Sequence, residues 1–241
     1  MVLRHVRAVT FDAGNTLLSA DPPPPAIYAG VLSRLGRPIT AEEVAPVFAQ
    51  VWAEAQLRVP SGTDRYAATP GGERAWWGAF VREVLARLHH DADWREALEV
   101  LYQEFTRPEV WEVFPDVVET LGELKEQGYA LGLISNWDSR LPALLDKLEL
   151  APFFDAISVS SLEGIEKPAA GIFIHTLVRL GVDPHETVHV GDSPLEDYEG
   201  ARRAGLTPVL IDRTGRFTEN GFTTIAAISQ LPALITGPGR S

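Results

Sequence analysis

The stretch that decides the fold is VRAVTFDAGNTLL, from Val6 to Leu18. Its first half is a short apolar run that predicts a buried strand, and Asp12 follows where that strand ends. Gly14 and Asn15 then form a turn signal, because these residue types tolerate backbone angles that others avoid. A carboxylate at the carboxyl end of a parallel strand lies where α/β sheets place their functional groups. Asp12 is therefore the first candidate site residue.

Four further apolar runs predict the rest of a parallel sheet. Helical patterns separate them, and Gly181 and Gly205 mark the ends of two helices just before strands. Alternation of strand and helix predicts right-handed crossovers and a doubly wound α/β sheet. The predicted strands are residues 6–11, 129–135, 154–159, 187–190 and 207–211, and the predicted helices are residues 116–127, 140–150, 169–180 and 195–204.

The segment between the first two predicted strands has a different pattern. It opens with Pro22 to Pro25, which cannot continue a strand. Thr40 with Glu43 predicts a capping box. Helical patterns cover residues 27–35, 42–56, 73–88 and 94–105. We therefore predict an all-helical insert over residues 20–107, a sheet domain formed by residues 1–19 and 108–236, and a disordered tail over residues 237–241.

Composition narrows the class of protein. The chain has 241 residues, a hydrophobic fraction of 45% and no cysteine, which predicts a buried core without disulfides or thiolate metal sites. The net charge of −12 disfavours binding to nucleic acid and to acidic membranes. No apolar run approaches the roughly 20 residues of a membrane span, and Asp12 comes too soon for a secretory signal. We expect a cytoplasmic protein, either a monomer or a homodimer.

Polar side chains follow the later strands of the predicted sheet. Ser135 and Asn136 come at the end of the second strand, Lys167 lies in a loop, and Asp192 and Asp197 follow the fourth. Each has an ordinary interpretation on its own: a Ser-Asn pair is a common turn, a loop lysine is usually solvated, and an aspartate often caps a helix. Because these residues occur in this order after Asp12, a shared functional role is favoured over the separate ordinary interpretations.

Taken in that order with Asp12, these motifs resemble the haloacid dehalogenase-like (HAD) superfamily, whose members are mostly phosphatases that work through an aspartyl-phosphate. The segments at residues 11–13 and 135–138 are most similar to 2-haloacid dehalogenase-like proteins. The resemblance covers nearly the whole chain. It implies a Rossmann-like core domain, with the helical insert as a cap domain, and a small phosphorylated molecule as substrate.

The resemblance implies roles in phosphoryl transfer. Asp12 is the implied nucleophile, since a carboxylate oxygen can attack phosphorus and hold the group as an acyl phosphate. Ser135 and the backbone N–H of Asn136 are implied donors to the phosphoryl oxygens. Thr16, four residues after Asp12, is a candidate either to donate its hydroxyl to a phosphoryl oxygen or to fix the loop. Lys167 is the implied cation that binds the phosphoryl group and offsets the charge of the nucleophile.

The resemblance also implies a Mg²⁺ cofactor. Its implied ligands are Asp12, the backbone oxygen of Gly14, and Asp192, which suits the preference of Mg²⁺ for one or two carboxylates with waters and substrate oxygens. Asp197 would hold a metal-bound water or brace Lys167. The carboxylate charges of three clustered aspartates repel one another, so such a cluster requires cations that offset them.

Gly14 departs from the pattern of the family's phosphatases, which usually carry a second aspartate there. That acid protonates the leaving group, and such help is typically worth ~10²- to 10⁴-fold. One interpretation is a Mg²⁺-dependent phosphatase whose substrates, such as acyl or aryl phosphates, need little protonation. A second is a 2-haloacid dehalogenase, because halide leaves without a proton, although this branch implies no Mg²⁺. A third is a non-catalytic binding or regulatory protein. The sequence favours the first.

Four other residues carry expectations that the structure can check. Asp138 and Arg140 are expected to be surface charges, and His189 is expected to be a buried core residue because it lies within a strand. Gly191, just before Asp192, is expected to allow a sharp turn at the end of its strand.

Overall fold

The structure is a computed structural model, and it describes residues 3–217 and 221–236. The chain divides into two compact units, Met1–Ser19 with Val113–Ser241, and Ala20–Glu112. We call them the sheet unit and the helical unit. The second boundary follows Glu112 and not residue 107, because residues 108–110 form a 3₁₀ turn that leads into a strand. The predicted tail, residues 237–241, lies outside the described residues.

A six-stranded parallel sheet forms the centre of the sheet unit. Its order is β5-β4-β1-β6-β7-β8, so the chain winds outward from β1 in one direction and then in the other. The predicted doubly wound α/β sheet is thereby confirmed. The strands are β1 (Ala8–Phe11), β4 (Ala130–Ser135), β5 (Ala156–Val159), β6 (Thr187–Gly191), β7 (Thr207–Ile211) and β8 (Thr224–Ile225), while β2 (Leu18–Ala20) and β3 (Trp111–Val113) form a separate two-stranded sheet.

The reversal of winding places three strand ends side by side. β1 pairs with β4 on one side and with β6 on the other, and Phe11 is the register partner of both Leu133 and Val190. All four residues of β1 are buried. A crevice at such a switch point, beyond the carboxyl ends of the strands, is where open α/β sheets bind ligands.

Helices α5 to α9 flank this sheet. They are α5 (Val117–Glu126), α6 (Leu141–Lys147), α7 (Ser160–Glu163), α8 (Ala170–Leu180) and α9 (Gly200–Arg203). The single helix predicted over residues 195–204 is wrong in detail, because residues 194–199 form a π-helical turn before α9. The Tyr198 amide donates to the Ser193 carbonyl, five residues earlier, at 3.1 Å. Turns of this wider kind are frequent at functional sites.

The helical unit has an aromatic core. Its helices are α1 (Pro24–Leu35), α2 (Ala41–Gln56), α3 (Gly72–Arg87) and α4 (Trp94–Glu104), and the predicted capping box between Thr40 and Glu43 is confirmed. Tyr28, Phe48 and Phe80 meet edge to face, a favoured arrangement of aromatic rings. In the described part of the chain, no helix combines the length and the apolar character that a membrane span requires.

Candidate active site

Asp12 lies directly beyond the end of β1. Its backbone N–H donates to the Val190 carbonyl at 2.9 Å, which continues the ladder between β1 and β6. Its side-chain oxygen Oδ1 accepts a hydrogen bond from Ser135 Oγ at 3.0 Å and one from Lys167 Nζ at 2.6 Å. Burial raises the pKa of Asp12, and the Lys167 ammonium opposes that rise. The carboxylate is thus fixed by the last residue of β4 and by a lysine from a separate loop.

Lys167 is shared between two carboxylates. Its side chain is only 1% exposed, and Nζ lies 2.6 Å from Oδ1 of Asp12 and 2.6 Å from Oδ1 of Asp197. Burial by itself would lower the pKa of Lys167, but the two carboxylates outweigh it and raise the pKa above its usual range. The side chain therefore stays an ammonium and supplies a fixed positive charge beside Asp12.

The Asn136 side chain holds the loop that carries Lys167. Asn136 Nδ2 donates to the Lys167 carbonyl at 2.9 Å, and the Lys167 backbone N–H donates to Asn136 Oδ1 at 2.7 Å. This pairing of a side-chain amide with a peptide group is not foreseen by the sequence, which points only to the backbone of Asn136. That backbone role stays a prediction.

Asp197 is surrounded by donors. Its Oδ1 accepts from Lys167 Nζ and faces His189 Nε2 at 3.1 Å, and its Oδ2 accepts from the Ser193 backbone N–H at 2.9 Å. Burial acts to raise the pKa of Asp197, but Lys167 and His189 outweigh burial and hold it well below its usual range. Asp197 is therefore ionised.

Gly191 is required for close packing. It is the last residue of β6, and a Cβ atom placed there would be well within contact distance of Asp197 Cγ. The sharp turn expected at the end of this strand stays a prediction. A glycine allows the Asp197 carboxylate to lie against the strand itself.

Asp192 completes an acidic cluster. Asp12, Asp192 and Asp197 each offer a carboxylate oxygen, and these oxygens all lie within 4.8 Å of one another. Burial and the charges of Asp12 and Asp197 raise the pKa of Asp192 to about 7, although Lys167 acts in the opposite direction. The charge of one lysine does not balance three carboxylates, so the cluster can hold a metal ion.

Two features of the loop after Asp12 matter for the site. There is space for a side chain at Gly14, and the hydroxyl of Thr16 has no hydrogen-bond partner within the described residues. Asn15 has a φ of 55°, the left-handed conformation that its residue type tolerates. A Cβ atom added to Gly14 would lie 3.5 Å from Trp137 Cζ3, an ordinary contact. Thr16 is buried, and its Oγ1 has no hydrogen-bond partner within residues 3–217 and 221–236. That hydroxyl therefore keeps its hydrogen-bonding capacity unused within the described residues.

Asp138 is buried, which corrects the expectation of a surface charge. The residue is 1% exposed, and Arg140 donates to it through Nε at 2.8 Å and through Nη2 at 2.5 Å. A bidentate ion pair of this kind is formed where the guanidinium matches the carboxylate. The residue pattern of a loop does not reveal that the loop is covered by the rest of the fold.

His189 is buried as expected, but it also contacts the site. It is the register partner of Thr10 in β1, and its two ring nitrogens face Thr10 Oγ1 and Asp197 Oδ1. Sequence reasoning missed this connection. The available signal was a polar residue inside each of two apolar strands that the fold makes neighbours.

Comparisons with known proteins identify the family to which the chain belongs. The sequence model of a family described as haloacid dehalogenase-like hydrolase matches residues 6–205. Haloacid dehalogenase-like hydrolase domain-containing protein 3 of Homo sapiens is 30% identical over 213 residues, which are 86% of this chain and 82% of that protein. A glyceraldehyde 3-phosphate phosphatase of Methanopyrus kandleri is 38% identical over 112 residues, 44% of this chain and 46% of that protein.

A solved structure extends the likeness to nearly the whole chain. The crystal structure of a HAD phosphatase from Thermococcus onnurineus has a TM-score of 0.66 and 28% sequence identity, and the match covers 95% of this chain and 97% of that one. The similarity therefore includes both the parallel sheet and the helical insert.

Proposed function

Because the chain belongs to the haloacid dehalogenase-like hydrolases, we propose that it is a Mg²⁺-dependent phosphatase that transfers the phosphoryl group of a small molecule to Asp12. The observation that carries the proposal is the position of the Lys167 ammonium, 2.6 Å from Asp12 Oδ1 and 2.6 Å from Asp197 Oδ1. A buried cation beside a buried carboxylate suits a substrate that brings further negative charge. The helical unit is proposed to be the cap domain of this family.

The residues present fit Mg²⁺. The available ligand atoms are all oxygens. The pKa of Asp192 is raised to about 7 by burial and by the charges of Asp12 and Asp197, which a bound cation would offset. We propose that Asp12, the Gly14 backbone oxygen and Asp192 hold the ion, and that Asp197 supports them. When bound, Mg²⁺ would offset the charge of these carboxylates and of the phosphoryl group.

The proposed chemistry has two displacements. An Asp12 carboxylate oxygen attacks phosphorus, the bond from phosphorus to the leaving oxygen breaks, and the leaving group departs with the electron pair. A water molecule then attacks the phosphorus, the bond from phosphorus to the Asp12 oxygen breaks, and that oxygen keeps the electron pair. The Asp12 carboxylate is restored, and both protons of the water leave with the inorganic phosphate. Ser135 and Lys167 orient that carboxylate, and the Thr16 hydroxyl, which has no partner within the described residues, is the proposed donor to a phosphoryl oxygen.

Gly14 limits the class of substrate. It carries no side chain, so the position that holds a carboxylic acid in the family's phosphatases supplies no proton to the leaving group. A carboxylate leaves an acyl phosphate without protonation near neutral pH, whereas the alkoxide of an alkyl phosphate requires a proton. We therefore propose an acyl phosphate, or another phosphate ester with an acidic leaving group, as the substrate class.

The direct test is phosphate release with Mg²⁺ or EDTA present. Acetyl phosphate, p-nitrophenyl phosphate and glyceraldehyde 3-phosphate provide leaving groups of rising pKa. We expect Mg²⁺-dependent release that falls along this series and is abolished in Asp12→Asn. Asp146→Asn, at an exposed aspartate of α6, is the matched control and should retain the activity. Equal rates in Asp12→Asn and the unmodified protein would rule out the proposed nucleophile.

Gly14→Asp tests the missing acid. The Cβ atom fits, because it would meet Trp137 only at an ordinary contact distance of 3.5 Å. We expect glyceraldehyde 3-phosphate hydrolysis to rise by ~10²- to 10⁴-fold, the usual range for general acid–base help. Gly14→Ala fills the same space without an acid and should give no gain. A similar gain in both variants would show that the side-chain volume, and not the acid, changes the rate.

The same assay separates the two alternatives that Gly14 leaves. Release of chloride from 2-chloropropionate in EDTA, without phosphate release from any ester, would identify a dehalogenase. Absence of turnover on all the probes, together with Mg²⁺ binding detected by calorimetry, would identify a binding or regulatory protein.

A further inference from the structure

A line of buried hydrogen bonds runs from Thr10 in β1 to the candidate nucleophile. Thr10 Oγ1 lies 2.9 Å from His189 Nδ1, and His189 Nε2 lies 3.1 Å from Asp197 Oδ1. Lys167 Nζ then joins Asp197 Oδ1 to Asp12 Oδ1, at 2.6 Å from each. Every side chain in this line is buried, so none of these bonds competes with bulk water.

The partners fix which ring nitrogen of His189 carries the proton. An ionised Asp197 is only an acceptor, so His189 Nε2 must donate to it. The ring is fully buried, and a neutral ring then leaves Nδ1 as an acceptor for the Thr10 hydroxyl. The Val188 carbonyl, the other acceptor near that hydroxyl, is farther away at 3.4 Å. Asp197 thus sets the tautomer of His189, and the Thr10 hydroxyl is the donor that Nδ1 then accepts from.

The packing around the ring leaves little freedom to this arrangement. The Phe173 ring meets the His189 ring edge to face, with centroids 5.1 Å apart and planes at 88°. The Asp197 carboxylate itself lies against Gly191, and the Ser193 backbone N–H donates to its other oxygen. His189 is the donor that completes the surroundings of Asp197, whose Oδ1 it shares with Lys167.

We propose that His189 is a positioning residue of the candidate site, which acts on Asp12 through Asp197 and Lys167, and that Thr10 supports the ring by donating to Nδ1. The effect on catalysis rests on the proposed function. The effect on Lys167 does not, because it concerns the geometry of the protein without substrate. A merely structural role for His189 would change stability and leave the Lys167 ammonium and kcat unaltered.

The first test observes the Lys167 ammonium directly by ¹H–¹⁵N NMR. Lys125, Lys147 and Lys167 are the only lysines of the sequence, so the resonance can be assigned by substitution. A buried, hydrogen-bonded ammonium exchanges slowly with water. We expect a slowly exchanging signal in the unmodified protein and in His189→Gln, which keeps an N–H donor toward Asp197. In His189→Leu we expect the exchange of that signal to accelerate by tenfold or more.

The second test measures kcat on acetyl phosphate. We expect His189→Leu to lose about 10- to 100-fold in kcat with little change in KM. Losses of this size are typical of residues that do not touch the substrate but orient the groups that do. His189→Gln should restore most of the loss. Thr10→Val should lose less than His189→Leu, and Thr10→Ser should match the unmodified protein because it keeps the hydroxyl.

A buried threonine elsewhere in the sheet unit is the control. Thr176 donates to Ser158 Oγ at 2.7 Å and to the Ile172 carbonyl, and none of these groups joins the line from Thr10 to Asp12. Thr176→Val should lower Tm and leave kcat unchanged. If His189→Leu does not fold, Thr10→Val and His189→Gln still provide the comparison.

The outcomes separate the two proposals. An unchanged Lys167 signal in His189→Leu, or in Thr10→Val if the leucine variant is unfolded, overturns the positioning role whatever the activity. An altered signal in a protein whose unmodified form releases no phosphate supports the positioning of Lys167 and refutes the phosphatase. Equal kcat in folded His189→Leu and the unmodified protein refutes the catalytic part of the inference.

Discussion

The two sides of the acidic cluster differ in how the protein compensates their charge. On one side, Asp12 and Asp197 share the Lys167 ammonium, and each accepts a further hydrogen bond, Asp12 from Ser135 Oγ and Asp197 from the Ser193 backbone N–H. On the other side, Asp192 has its pKa raised to about 7 by burial and by its acidic neighbours, although the Asn15 side chain donates to it. The charge of the first side is offset by the chain's own groups, whereas burial and the acidic neighbours disfavour ionisation of Asp192 on the second.

Of the changes that test this difference between the two sides, removal of Lys167 should have the largest effect on the free energy of unfolding. Lys167→Met would leave two buried carboxylates without their cation, and we expect a loss of about 3–5 kcal/mol in the free energy of unfolding. Urea denaturation measures it. Lys147→Met, at an exposed lysine of α6, should stay within about 0.5 kcal/mol of the unmodified protein. A loss below about 1 kcal/mol in Lys167→Met would mean that the cluster relaxes into water.

Gly191→Ala tests the packing on the side of the cluster where Asp12 and Asp197 share Lys167. The added methyl group would overlap Asp197 Cγ, so either the carboxylate or the strand must move. We expect a destabilisation of about 3 kcal/mol, at the upper end of the usual range for overpacking. Gly122→Ala is the matched control, because nothing lies within 4 Å of a Cβ atom there and Gly122 lies inside α5. It should stabilise by about 0.5–1 kcal/mol. Equal effects would contradict the close approach at Gly191.

Mg²⁺ should stabilise the protein through Asp192. At 100 times its Kd, an ion that binds only the folded state adds about 2.7 kcal/mol to the free energy of unfolding. Thermal unfolding with Mg²⁺ or EDTA measures this gain, which we expect to disappear in Asp192→Asn. A full Mg²⁺ effect in that variant would place the ion elsewhere.

The pH dependence of the free energy of unfolding, measured in EDTA to remove metal ions, tests the raised pKa of Asp192. Its folded pKa is raised to about 7, so its stabilising contribution is present below about pH 4 and is lost as the pH rises toward 7. A shift from the usual pKa of an aspartate to about 7 corresponds to a contribution of about 4 kcal/mol to the free energy of unfolding. We expect about 2 kcal/mol because the residue is partly exposed. The measured quantity is the difference in unfolding free energy between the unmodified protein and Asp192→Asn at each pH. A difference that is constant from pH 4 to pH 7 would contradict the raised pKa.

The fold could be predicted largely because its signals are local. The apolar runs that form β1, β4, β5, β6 and β7 are each short and bounded by turn residues, and the structure contains a strand at each of them. β8 was not predicted, since two residues are too few for a pattern. The π-helical turn at residues 194–199 was missed as well, because periodicity does not distinguish it from an α-helix.

The sequence by itself determined which residues meet. Parallel strands wound in two directions from β1 bring their carboxyl ends together, so Asp12, Ser135 and Asp192 share one edge whatever the details of packing. Only the tertiary structure decided how they are held: that Asp138 is buried, that Gly191 admits a carboxylate, and that His189 connects Thr10 to Asp197. The physical reason is that a hydrogen bond or a close contact depends on distances of a few tenths of an ångström between segments far apart in the chain, and no local pattern encodes them.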